Sequence, residues 1–77
     1  MNSKQLKNKK TALGQQLKAV RESKDFSKGY VARMGGIRTR QVSSIEEGET
    51  NYTIDVLLGF LKGVRLEIKF SDSIEED

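Results

Sequence analysis

The order of apolar and polar positions along the chain sets out four short helices followed by one change of rhythm. After Thr11, Leu13, Leu17 and Val20 recur at the three- and four-residue spacing of a helix face, and Ser23, Lys24 and Asp25 end the run. Ser27 is a favourable N-cap for a second helix over 28–34, stopped by Gly35 and Gly36. A third stretch, 39–47, sets Val42 and Ile45 three apart and closes at Gly48. Thr53 caps a fourth, in which Ile54, Leu57, Leu58 and Leu61 give a broad apolar face ending near Gly63. Beyond it Leu66, Ile68 and Phe70 alternate with Glu67 and Lys69, the two-residue rhythm of a half-buried strand. The pattern predicts a compact, mainly α domain of four helices with one C-terminal β-strand, and it shows no internal repeat or interdomain linker.

The block 28–48 is the most informative. Two helices joined by a turn of about three or four residues must cross steeply, and that geometry constrains residue types. The crossing point needs a small side chain, where Ala32 stands, and the turn needs tolerance of positive φ, which Gly36 supplies four residues later. Val31, Ile37, Val42 and Ile45 fall where both helices must bury side chains against the remainder. Each is an ordinary core position taken singly; together they favour a helix-turn-helix over a generic helical hairpin. Phe26, Tyr30 and Phe60 read as core or half-buried packing, because none is interleaved with a basic run as base-stacking platforms are.

Composition narrows the function. With 77 residues the chain holds one domain, and a chain that short buries only roughly 60% of its unfolded surface, so a second copy is a natural source of added stability. It contains no cysteine and no histidine, which removes disulfides, thiolate metal sites and the commonest general base. Glu46, Glu47 and Glu49 cluster beside Gly48 as a helix end does, and the glycines form no phosphate-cradling spacing. The chain is therefore not expected to be an enzyme, nor to need a cofactor or metal. No run approaches the ~20 apolar residues of a membrane span, and 1–10 lacks the apolar stretch of a signal peptide, so a soluble cytoplasmic protein is expected.

The net charge of +3 is unevenly placed. Lys4, Lys7, Lys9 and Lys10 make 1–10 a basic, flexible arm, expected to touch phosphate; Asp72, Glu75, Glu76 and Asp77 make 71–77 an acidic tail. The alternative for both is a terminus kept charged for solubility. Between them lie the helix-turn-helix domain, 11–64, and the strand, 65–70.

Residues 13–64 resemble the lambda-repressor-like (Cro/XRE-type) domains of phage repressors, Cro-like proteins and plasmid or toxin–antitoxin regulators. The family's Leu-Ala, followed four residues after the Ala by Gly and an apolar residue, stands here as Val31-Ala32 and Gly36-Ile37. Its valine-serine-x-isoleucine-glutamate-x-glycine stands as Val42-Ser43-Ser44-Ile45-Glu46-Glu47-Gly48. Two positions depart from the pattern. Arg38 occupies the usual Ser or Thr cap of the recognition helix, so Thr39 is expected to cap it one residue later. Gly29 replaces a better helix former, at a cost of roughly 0.5–1 kcal/mol.

The resemblance implies a docking geometry in which the second helix of the motif enters the major groove with its N-terminal residues toward the bases. That assigns base contacts to Thr39, Arg40 and Ser43, with Gln41 and Ser44 flanking; Arg40 suits a guanine and Gln41 an adenine. Lys28 resembles the family's phosphate anchor, and Arg38, Thr50, Asn51 and Tyr52 are further candidates for the DNA backbone. Arg21 and Glu46 match a pair that ties the first helix to the recognition helix. The strand resembles that of the small Hip-type antitoxins, which implies dimerisation through Leu66, Ile68 and Phe70. The expected function is a homodimeric transcriptional repressor on a palindromic operator of double-stranded DNA. The alternative is an antitoxin or adaptor whose main work is to hold a protein partner such as a toxin. A structural helical domain without DNA binding is a third reading, against which the surface 39–44 argues.

Overall fold

The computed structural model describes residues 3–49 and 52–68, with side chains from residue 8 onward. Four helices follow in order: α1 (Ser3–Ser23), α2 (Lys28–Gly35), α3 (Thr39–Glu46) and α4 (Ile54–Gly63). The caps explain where the short ones begin. The Ser27 side chain accepts from the backbone N–H of Tyr30 at the start of α2, and the Thr53 side chain accepts from that of Val56 at the start of α4. Gly36 ends α2 in the left-handed region at φ 71°, and the N–H of Ile37 closes onto the carbonyl of Ala32 at 3.0 Å. Only Gly36, Ile37 and Arg38 separate α2 from α3, so the two helices and their turn form a helix-turn-helix.

One core holds the four helices. Leu17 of α1, Val31 and Ala32 of α2, Val42 and Ile45 of α3, Phe60 of α4 and Val64 just beyond it are buried. Val20, Phe26, Ile37, Tyr52, Val56, Leu57, Leu61 and Leu66 pack around them. Two close backbone approaches set the spacing. Gly14 lies against the carbonyls of Ile45 and Glu46, and Gly35 against the carbonyl of Gly59, where no side chain would fit. A bond across the fold closes one end: the Lys24 ammonium donates to the carbonyl of Val64 at 2.6 Å, satisfying an acceptor at the C-terminus of α4.

Three sequence expectations need correction. α1 begins at Ser3 and not after Thr11, so 3–10 continue the helix instead of forming a flexible arm. Nothing in 3–10 breaks a helix, and lysine and glutamine are good helix formers, whereas the expectation followed the apolar face alone. Leu13 stays exposed, because Gly14, which the apolar pattern could not register, is the residue turned toward α3. The N-cap of α3 is Arg38, which leaves Thr39 as its first helical residue. The strand expected over 65–70 lies partly outside the described residues; 65–68 have no strand partner among the described residues of the chain, as is the case for a strand that pairs only with a second copy. Phe70 and the tail 71–77 lie outside the described residues.

Candidate nucleic-acid interface

An arginine side chain has no acceptor, so Arg38 cannot cap α3 in the way serine or threonine does. The first turn is instead fixed from the other direction: the Gln41 side-chain oxygen accepts from the Arg38 backbone N–H at 2.8 Å. This is the reciprocal half of a capping box, formed without its hydroxyl half. The signal was present in the sequence as a glutamine three residues after the cap. It leaves Arg38, Thr39 and Arg40 exposed on the leading turn of α3, with no hydrogen bond or ion pair from the Thr39 or Arg40 side chain among the described residues.

Behind that turn the polar side chains are engaged. Ser43 and Ser44 are half-buried; the Ser44 hydroxyl donates to the Arg40 carbonyl at 3.1 Å, one turn back. Lys28, at the first position of α2, donates from its ammonium to the Ser43 hydroxyl at 3.1 Å. The structure thereby joins a residue assigned to phosphate with one assigned to a base, a contact that sequence spacing could not reveal. Tyr52 is half-buried against the core, and burial raises its phenol above the ordinary tyrosine value. The Lys10 ammonium lies 5.1 Å from the centre of its ring. Thr50 and Asn51 lie outside the described residues.

The scaffold beneath is ionic. Arg21 and Glu46 are both buried, and the guanidinium donates to both carboxylate oxygens, from Nη2 to Oε1 at 3.1 Å and from Nε to Oε2. Its Nη1 donates to the Phe26 carbonyl at 2.8 Å. The hydrogen bond to Glu46 raises the Arg21 pKa further above its already high ordinary value, against the opposing effect of burial. The pair fixes the C-terminal end of α3 on α1, so α3 presents its first turn from a tied base. Phe26 and Tyr30 pack ring to ring at 4.6 Å between centroids, half-buried.

The short helix α3 thus follows a three-residue turn, with Arg38 and Arg40 exposed at its start and its far end tied to α1 through Arg21 and Glu46. The family description "Helix-turn-helix" matches residues 17–68, from within α1 to beyond α4. The chain belongs to the Cro-type, lambda-repressor-like helix-turn-helix family. As a member of it, this helix-turn-helix protein is a DNA-binding regulator, and the family is not one of enzymes. No curated protein matches the chain. Among the described residues, no helix is long and apolar enough to cross a membrane.

Proposed function

We propose that this helix-turn-helix protein is a homodimeric transcriptional repressor that reads a palindromic operator with α3. The observation that carries the reading is Arg40: exposed, in the leading turn of α3, and without a side-chain partner among the described residues. A guanidinium so placed can fork onto the O6 and N7 of a guanine. Thr39 and Ser43 share the base-reading role, with Gln41 and Ser44 beside them. Lys28 and Arg38 hold phosphates, with Thr50, Asn51 and Tyr52 as further candidates; such contacts set register and not sequence.

Dimerisation is supported by an apolar groove between α4 and the segment that follows it. Leu58, Leu61, Leu66 and Ile68 line a groove of about 450 Å³ edged by Lys62, Arg65 and Glu67. Leu58 and Ile68 are each 46% exposed, which leaves apolar surface that a second copy would cover. Pairing through Leu66, Ile68 and Phe70 about a two-fold axis would set two copies of α3 about 34 Å apart, one for each successive major groove. The same groove also supports the second reading, an antitoxin or adaptor that uses it to hold a protein partner. Footprinting on the DNA upstream of the protein's own gene tests the repressor. The expected result is one protected, two-fold symmetric site; protection without sequence preference would move the weight to the partner-binding reading.

A further inference from the structure

Two guanidinium groups converge on one aromatic ring. Within α2, the Arg33 guanidinium carbon lies 5.7 Å from the centre of the Tyr30 ring. From beyond α4, Arg65 donates from Nη2 to the Tyr30 hydroxyl at 3.4 Å. Phe26 packs on the same ring at 4.6 Å between centroids and braces it. Both arginines are exposed, and among the described residues neither enters an ion pair. The cluster faces away from the side of α2 that adjoins α3. Lys28, which bonds Ser43 of α3, stands about 140° around the helix from Arg33.

The backbone of Arg65 gives this cluster weight. The Arg65 N–H closes onto the Lys62 carbonyl at 3.1 Å and the Leu66 N–H onto the Leu61 carbonyl at 2.8 Å, the paired bonds that end a helix around a left-handed residue. Glycine ordinarily fills that position, yet Arg65 holds it at φ 63°. A side chain carried on a disfavoured backbone points to a use for that side chain. Its contact with a neutral phenol leaves its positive charge unanswered. Arg65 also lines the apolar groove, as does Ile68 three residues on, so the sequence after Ile68 starts beside the cluster. Residues 71–77 hold Asp72, Glu75, Glu76 and Asp77 and no base. An extended run over 69–77 reaches roughly 30 Å, ample for a return to Tyr30.

We propose that Tyr30, Arg33 and Arg65 form a docking site for an acidic peptide segment, and that its occupant is the tail 71–77 of the same chain. Carboxylates of the tail fork onto the two guanidinium groups, and the Tyr30 hydroxyl adds a further donor. The tail thereby withholds a basic patch from other polyanions.

The test is paramagnetic broadening in the full chain, without DNA. The chain has no cysteine, so Ser73→Cys places a single nitroxide in the tail. At low salt the Tyr30 amide and the side-chain N–H signals of Arg33 and Arg65 are expected to lose most of their intensity, and to recover it at high salt. Arg33→Gln with Arg65→Gly is expected to abolish the broadening at Tyr30. Its melting temperature should be no lower than that of wild type, because glycine suits φ 63°. Neutralising the tail, Asp72→Asn with Glu75→Gln, Glu76→Gln and Asp77→Asn, leaves the folded body untouched and is expected to abolish the broadening as well. An unbroadened cluster in the labelled chain overturns the proposal, as does broadening that survives either set of substitutions. Strongest broadening at the leading turn of α3 overturns it in favour of a tail that covers the DNA-reading face. Mixing isotope-labelled chains that lack the nitroxide with isotope-free chains that carry it separates the copies. Broadening in the isotope-labelled chains would seat the tail on a second copy and overturn the same-chain contact.

Discussion

Taking a guanidinium and a carboxylate out of water costs several kcal/mol for each before their attraction is counted, and Arg21 and Glu46 are nevertheless both buried. Each therefore depends on the other. Glu46→Ala should lower stability by about 3–5 kcal/mol, because it leaves a buried charge unpaired. Arg21→Met combined with Glu46→Leu should recover most of that loss, and urea midpoints measure both. A single variant within about 1 kcal/mol of wild type would mean that water reaches the pair. Arg40 is the contrasting case, exposed and unbonded among the described residues. Arg40→Ala should leave the urea midpoint unchanged, weaken operator binding by about 1–3 kcal/mol and relax discrimination at one base pair of each half-site. Lys28→Ala should weaken all sequences alike and flatten the salt dependence by about one charge.

At the scale of the helix, the sequence was most legible where its signals were local. The caps at Ser27 and Thr53 and the left-handed stop at Gly36 depend on residues within a turn of one another, so α2 and α4 could be bounded closely. The start of α1 at Ser3 is not legible, because a polar helix without an apolar face leaves no period to follow. The leading turn of α3 was placed to within one residue, and its exposed residue types were readable. The Lys28–Ser43 and Lys24–Val64 bonds were not, since they join residues 15 and 40 positions apart. Glycine separates the local from the non-local. A Cβ on Gly29 would meet only the Ser27 hydroxyl oxygen at 4.0 Å, so Gly29→Ala should stabilise α2 by about 0.5–1 kcal/mol. A Cβ on Gly59 would lie 2.5 Å from Ile37 Cγ2 and 2.8 Å from the Gly35 carbonyl, so Gly59→Ala should cost about 1–3 kcal/mol. Thermal melts of the two variants should therefore move in opposite directions; a gain from Gly59→Ala would show that α2 and α4 can separate without penalty.

For the molecule as a whole, the question is what covers the groove between α4 and the segment after it. Leu66 packs on the core, whereas Ile68 is 46% exposed, so a change at Ile68 tests the surface without disturbing the interior. Ile68→Asp should convert a dimer to a monomer in sedimentation equilibrium, with operator affinity falling alongside and the melting temperature of the monomer close to that of wild type at high dilution. An unchanged dimer would place the two-fold contact elsewhere. The groove residues were visible in the sequence as apolar positions, yet their joint exposure was not, because alternation along a strand and packing on a helix predict the same residue types.

The side-chain oxygen of Gln41 holds the amide of Arg38, and a carboxamide that grips an adenine edge needs that same oxygen. That oxygen has two lone pairs, but if the side chain must swing out to reach the adenine, it releases the Arg38 N–H and loosens the turn that presents Arg40 to the neighbouring base. Two adjacent letters of an operator are then not read independently: the energy of one depends on the identity of the other, and a table of additive base preferences would misrank sites that carry both. The Arg38 amide is the reporter of this coupling, with slow hydrogen exchange on DNA that leaves Gln41 folded back and faster exchange on DNA that draws it away.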